Sequence, residues 1–409
     1  NRDRGCSISP RKEGAPITFF RSLSVAGFAA TAISFGPGRM GFGLFVPEFR
    51  SAFSMSSSAV GIVSSIGFAG FFIGLLIAQF FLNRRGPEFP VLSGLTAATV
   101  GLGIVAVAPG VFVLAIGVFL AASSAGFAWT PFNDAVHRKV RDVDRATALS
   151  EISSGTAIGI AAAGGVALAM VLAGFGWRIC WGAFAGASAV ALIVNWAALR
   201  QVDKSPDDPP KKGWRDLLQR CAIPLFGVAF VYGITSAIYI SFAADRFAEE
   251  GVPGMPGGSA APLVFIFYGL FGLSGLLTDR VRNAIGLTWL LRALLVIGAA
   301  SLALAAFGSG RWSGLVASAG LQGVNVMMTS AVLAFWSERL FPRFPALGFT
   351  ATLLATAAGS VLGPMVAGWV SGSMGVAAMF YGTAAIPLVT TVLIWSRIIT
   401  EKPLQTTEV

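Results

Sequence analysis

The sequence predicts an all-α integral membrane protein whose twelve transmembrane helices form two pseudo-symmetric six-helix bundles. Three observations lead there: an apolar composition, twelve apolar stretches of crossing length, and basic residues gathered at alternate gaps between them. Of 409 residues, 55% are hydrophobic and 12% charged, where soluble domains carry about 25% charged residues. Mean hydropathy is +0.76. This composition excludes a soluble domain and a disordered chain, and three cysteines are too few for a disulfide scaffold.

About 20 apolar residues make one crossing. The first stretch, 20–47, follows a charged tail over 1–19 and is bracketed by Arg21 and Arg50. It is too long for the core of a signal peptide, so it is expected to stay in the protein. The second, 59–82, stops at Asn83-Arg84-Arg85, and the third and fourth, 89–109 and 111–136, run to a basic loop that begins at His137. The fifth, 147–173, starts after Arg145, and the sixth, 179–199, opens behind Gly176-Trp177-Arg178 and closes at Arg200. The seventh, 221–244, stops short of Arg246, and the eighth, 261–278, stops at Asp279-Arg280. Arg311 separates the ninth, 285–307, from the tenth, 313–337, which ends at Glu338-Arg339. The eleventh and twelfth, 346–371 and 377–396, complete the set before a polar tail at 398–409.

Twelve crossings return both termini to one face. Of the 29 lysines and arginines, 23 fall on that face, four (Arg50, Arg178, Arg246 and Arg311) on the other, and Arg39 and Arg292 inside spans. The positive-inside bias then assigns both termini to the cytoplasm. The net charge of +10 is a topology signal, with no nucleic-acid partner implied. Cys6 and Cys221 fall on the cytoplasmic side and Cys180 near the opposite end of span six, which argues against a disulfide.

The chain divides into halves over 20–199 and 221–397, joined by a charged, proline-containing linker over 200–220. Gly155, Gly159 and Gly164 in span five repeat as Gly359, Gly363 and Gly368 in span eleven, each 204 residues on. Small residues at these spacings let helix backbones approach closely, so the repeat predicts equivalent packing in the two halves.

The loops after spans two and eight correspond. One reads Asn83-Arg84-Arg85-Gly86, the other Gly275-Leu276-Leu277-Thr278-Asp279-Arg280. Here the sequence resembles the major facilitator superfamily, whose G-x-x-x-D-R-x-G-R-R motif follows the second helix with a weaker copy after the eighth. The first copy departs from the pattern, with Gln79 at the leading glycine, Asn83 at the aspartate, and Pro87 and Glu88 where basic residues are usual. Gly176-Trp177-Arg178 and the Gly363-Pro364 pair add to the resemblance. Within the superfamily, Gly36-Pro37-Gly38-Arg39 and the Gly233, Tyr239, Phe242 run are similar to the bacterial YbfB/YjiJ-type transporters. Drug:proton antiporters carry a buried arginine in the fourth helix where this chain has Val118, which disfavours a multidrug antiporter.

No metal or nucleophile constellation is present, the one histidine being His137 in a basic loop, and no phosphate-binding G-x-x-x-x-G-K-[ST] occurs. The sequence therefore predicts no enzyme and no cofactor. Arg39 lies about 5 Å from the midplane of the first span, too deep to snorkel. Gly36, Pro37 and Gly38 are expected to break the helix there and expose an N-terminal end suited to an anionic group. Its other reading is a structural arginine paired with carbonyls or a carboxylate. Arg292 is expected to snorkel from the ninth helix. Trp129, Asn133, Tyr232, Tyr239, Tyr268, Gln322 and Asn325 are polar groups in apolar spans and, by resemblance, candidates for substrate contact, with interhelical bonding as the alternative. Asn83, Arg84, Asp279 and Arg280 are candidate gating residues. Asp134 and Glu151 read as gate or loop partners of nearby arginines.

These features predict a secondary transporter that moves a small, anionic organic solute by alternating access. The resemblance implies coupling to protons or facilitated diffusion. The protein is expected to be monomeric in membrane lipid. The alternatives are a non-transporting receptor or scaffold on the same fold, and an efflux pump for drugs or metabolites.

Overall fold

The computed structural model describes residues 17–140, 142–200, 219–342, 345–394 and residue 399. Linker residues 201–218 and tail residues 1–16, 398 and 400–409 lie outside the described residues. The first span is α1 (Ile17–Ile33), a π-helical turn (Ser34–Met40), α2 (Gly41–Leu44) and α3 (Val46–Phe53). Spans two to six are α4 (Ser57–Arg85), α5 (Glu88–Ala106), α6 (Val111–Gly126) with α7 (Trp129–Lys139), α8 (Asp142–Leu172) and α9 (Trp177–Leu199). Spans seven to twelve are α10 (Ile223–Glu250), α11 (Ala260–Gly272) with α12 (Thr278–Ile285), α13 (Leu287–Phe307), α14 (Trp312–Leu340), α15 (Pro345–Met374) and α16 (Val376–Leu393). Among the described residues, eleven spans are long and apolar enough to cross a membrane, and the first, built from short helical pieces, makes the twelfth.

Local chemistry explains the exception. Pro37 has no N–H to donate and its ring crowds the carbonyl one turn back. The wider π turn accommodates it without leaving helical space, since Ile33 and Gly41 at its ends are both right-handed. The expected break with a free N-terminal end is therefore absent: the turn widens, and the chain stays helical to Leu44. Phe45 then leaves helical geometry and Pro47 opens α3.

The glycine repeat does equivalent work in each half. A Cβ on Gly155 or Gly159 would strike the first span at Phe28, Thr31 and Ala32, while one on Gly359 or Gly363 would strike α10, the seventh span, at Phe230 and Ile234. The third glycine of each set faces the other half: Gly164 meets Pro262 and Ile266 of α11, and Gly368 meets Ser57 and Gly61 of α4. Shifting every span by six maps one set of contacts onto the other. Close backbone approach at these points is what lets α8 pack on α11 and α15 on α4 across the middle of the molecule.

The two ends of the bundle differ. At the end bearing Arg50, Gly43 lies against the Ile240 carbonyl and Arg50 forms an ion pair with Asp245 of α10, whose residue is 7% exposed. Arg246 pairs with Glu249 and Glu250 at 3.1 and 3.0 Å. Phe45, Phe49, Trp177, Trp181 and Phe184 pack there with ring centroids 5.0 to 6.3 Å apart, a geometry favourable for aromatic pairs. The opposite, basic end bears Arg84, Arg85, Arg280, Arg282 and Arg339, and it opens into a cavity.

Candidate functional site

The cavity has a volume of about 340 Å³ and runs between the two halves from Arg39 to Asp279. Every wall is a helix. The first span supplies Phe35, Arg39 and Met40, α4 supplies Phe71 and Leu75, and α7 supplies Trp129. Ser150, Ser153, Ser154 and Thr156 of α8 form a hydroxyl wall, and Tyr232 of α10 lies deep in the site. Val326, Met327 and Ser330 of α14 face Phe349, Leu353 and Thr356 of α15. Several hydroxyl protons are already committed: Tyr232 donates to the Val326 carbonyl at 3.1 Å, Ser154 to Glu151 at 2.7 Å and Thr356 to Thr352 at 3.1 Å. The walls are thus mainly carbon, with hydroxyl oxygens along one side.

Arg39 stands at the closed end. Its guanidinium carbon lies 4.4 Å from the Phe71 ring centre, 5.6 Å from Phe68 and 5.8 Å from Phe35. Its Nε has no hydrogen-bond partner, and among the described residues no carboxylate pairs with it. Aromatic faces offset part of the cost of placing a cation here, about 0.5 to 2 kcal/mol per contact, far less than a carboxylate would. Beyond Arg39, toward the closed end, lies a void of about 10 Å³ lined by Ser64 and Ser241, with the Ser64 hydroxyl unpartnered. The arginine therefore separates an open cavity from the tightly packed Arg50 end.

Three of the eight sequence-derived contact candidates, Arg39, Trp129 and Tyr232, line the cavity. Tyr239 and Tyr268 are buried behind the wall with ring centres 6.3 Å apart; the Tyr239 hydroxyl bonds the Ser318 hydroxyl at 3.1 Å and that of Tyr268 has no partner. Gln322 is fully buried with both amide atoms unbonded. Asn325 accepts a hydrogen bond from Thr329 at 3.3 Å and packs against Gly298. Asn133 is half-buried on α7, outside the lining.

Of the gating candidates, Asp279 sits at the cavity mouth but bonds Arg282 of its own helix, at 3.0 Å. Arg280 is exposed, and Arg84 stands on the outer surface over the Phe80 ring at 4.0 Å. The Asn83 side chain lies outside the described residues. Asp134 is half-buried and interacts within the protein, and Glu151 is exposed beside the lining Ser150. Arg292 donates to the Ile394 carbonyl at 2.9 Å and lies beside Trp289, so its charge is anchored to α13 and the end of α16. Sequence reading missed the hydroxyl wall, whose signal is the i, i+3, i+4 spacing of Ser150, Ser153 and Ser154 on one face of α8. It also missed the Arg50–Asp245 pair, because both residues fall just beyond the apolar stretches.

Residues 27–299 match the family model described as Major Facilitator Superfamily. No curated protein matches the sequence closely enough to count as a relative. Solved structures with a similar fold include a POT family transporter in complex with 5-aminolevulinic acid (TM-score 0.75, 13% identity, 93% of this chain and 96% of that one). A bacterial homolog to the human lysosomal transporter Spinster, inward-facing and unoccupied, has a TM-score of 0.72 at 16% identity, covering 94% and 98% of the two chains. The nucleoside transporter NupG gives 0.68 at 15% identity, covering 94% and 100%. At such identities the likeness is one of fold.

Proposed function

This chain belongs to the Major Facilitator Superfamily, and from that premise we propose that it is a secondary transporter of a small organic anion, with Arg39 as the anion's partner. It is a multi-pass membrane protein and a transporter, with no enzyme activity in the family reading. The observation that carries the anionic reading is the Arg39 guanidinium at the blind end of a cavity between the halves, ringed by Phe35, Phe68 and Phe71 with no carboxylate among the described residues to neutralise it. A cation near the bilayer midplane is costly unless something compensates its charge, and a substrate carboxylate matches its planar fork bidentately.

The basic end is the cytoplasmic end by the positive-inside bias, so the described state is open inward and closed outward. Halves over 20–199 and 221–397 rock about Arg39, exchanging the Arg50–Asp245 closure for one near Asp279. Transport in this reading is coupled to protons or is facilitated diffusion, which an imposed pH gradient distinguishes, and a monomer in the bacterial inner membrane is the working unit. Purified protein in vesicles, tested for uptake of a panel of radiolabelled organic anions with and without an imposed pH gradient, decides the matter. Uptake of at least one anion that vanishes in Arg39→Gln supports the reading. Uptake confined to cations or neutral solutes, or untouched by Arg39→Gln, overturns it.

A further inference from the structure

The outer surface of the first half carries a second concave feature, separate from the central cavity. Phe89, Leu92, Thr96 and Val100 of α5 recur at helical spacing along an open groove of about 840 Å³, bounded on its far side by Leu120 of α6. Thr96 and Val100 are exposed, as is Phe80 beside the groove. In a protein that spans a bilayer this surface faces lipid. From Glu88 to Val100 the helix rises about 18 Å, more than half of a hydrocarbon core of about 30 Å.

The groove's polar end is built for an anion. Arg84 and Arg85 line it, both exposed, with no ion-pair partner among the described residues. Aromatic rings hold them in place: the Arg84 guanidinium carbon is 4.0 Å from the Phe80 ring centre and that of Arg85 is 4.7 Å from Phe89. Glu88, at the same rim, already interacts within the protein. The second half offers an internal comparison. A groove of about 590 Å³ beside α13 and α16 has one cation, Arg292, and its Nε is committed to the Ile394 carbonyl at 2.9 Å.

We propose that the α5 groove binds one anionic phospholipid, its phosphate held by Arg84 and Arg85 and one acyl chain laid along Leu92, Thr96 and Val100. Arginine forks match phosphate oxygens bidentately, and a basic pair at the cytoplasmic rim favours anionic headgroups electrostatically. A zwitterionic phosphatidylcholine would bring its own ammonium toward two guanidinium groups. Free phosphate would leave the apolar stripe unfilled.

Full-length protein in detergent is titrated with phosphatidylglycerol, phosphatidylcholine and inorganic phosphate, and bound lipid is counted by native mass spectrometry. Phosphatidylglycerol is expected to bind about ten-fold or more tightly than phosphatidylcholine, the preference two rim cations supply, with inorganic phosphate failing to displace it. Arg84→Gln with Arg85→Gln abolishes the preference, and Arg292→Gln leaves it intact. Thr96→Trp fills the groove while keeping both arginines, and is expected to weaken phosphatidylglycerol binding as well. Equal binding of the two lipids, a preference that survives the double variant, or unaltered binding by Thr96→Trp would each overturn the proposal. If the double variant fails to fold, Thr96→Trp decides alone.

Discussion

Arg39 was legible in the sequence because a charge near the middle of an apolar stretch has few bland explanations; its surroundings were not, because Phe35, Phe68 and Phe71 are three of 33 phenylalanines and only the fold brings them to one ring. If its fork grips a carboxylate, lysine keeps the charge and loses the second hydrogen bond, while glutamine loses the charge. Arg39→Lys is therefore expected to weaken substrate affinity and Arg39→Gln to weaken it further, by about 2 to 5 kcal/mol in total. The check is a binding titration beside thermal unfolding. Unchanged affinity in a folded Arg39→Gln protein would make the arginine structural. Gln322 poses a second question at this scale, since a fully buried amide with neither atom bonded costs about 1 to 3 kcal/mol per unsatisfied group. Such a cost persists when another state uses the group. Gln322→Met, similar in shape and without the amide, is expected to raise Tm and slow transport; a variant that transports at the wild-type rate would show the amide to be dispensable.

Helices themselves were read well from hydropathy, and several of their ends were read short. Apolar stretches stop where charge begins, but hydrogen bonding continues: α8 starts at Asp142, five residues before its expected edge, and α10 runs on to Glu250. That overrun hid the latch. Asp245 falls one residue past the expected seventh span, whereas it lies on the last turns of α10 and reaches Arg50 on α3. The Arg50 side chain is 30% exposed and that of Asp245 9%, so the pair belongs between a surface bridge and a buried one, at about 1 to 3 kcal/mol. It holds the first and seventh spans together at the closed end. Asp245→Asn is expected to shift the population about 5- to 140-fold toward the outward-open state, each 1.4 kcal/mol being a factor of ten. Spin labels on α3 and α10 would report the longer distance. The reversal Arg50→Asp with Asp245→Arg should restore the short one, and an Asp245→Asn protein with an unaltered distance distribution would remove the latch from the mechanism. The glycine repeat was visible as spacing alone; that its third members face the opposite half needed the fold, because sequence spacing fixes a helix face without naming its neighbour.

At the scale of the whole molecule, charge is distributed for two purposes. The excess of basic residues on one face orients the chain, so a membrane-impermeant thiol reagent added to intact cells is expected to leave Cys221, at the basic end of α10, unlabelled until the membrane is permeabilised. Labelling before permeabilisation would invert the topology and make the described cavity outward-facing. Inside, charge is sparse. Among the described lining residues there is one cation, Arg39, and one acid, Asp279, which already bonds Arg282 at the mouth. A monoanion with an uncharged, largely apolar body satisfies Arg39 and leaves nothing else in the cavity unpaired. A dianion would carry a second charge past carbon walls toward Asp279, and a zwitterion would hold its ammonium near Arg39. Each unpaired charge in so desolvated a site costs several kcal/mol before relaxation. In a competition assay with reconstituted protein, aliphatic or aromatic monocarboxylates are expected to inhibit uptake at least about ten-fold more strongly than the matching dicarboxylates or α-amino acids, a difference of about 1.4 kcal/mol. If dicarboxylates compete equally and Arg39→Gln still abolishes uptake, Arg39 remains the anion partner but a second cation must enter the cavity during the cycle.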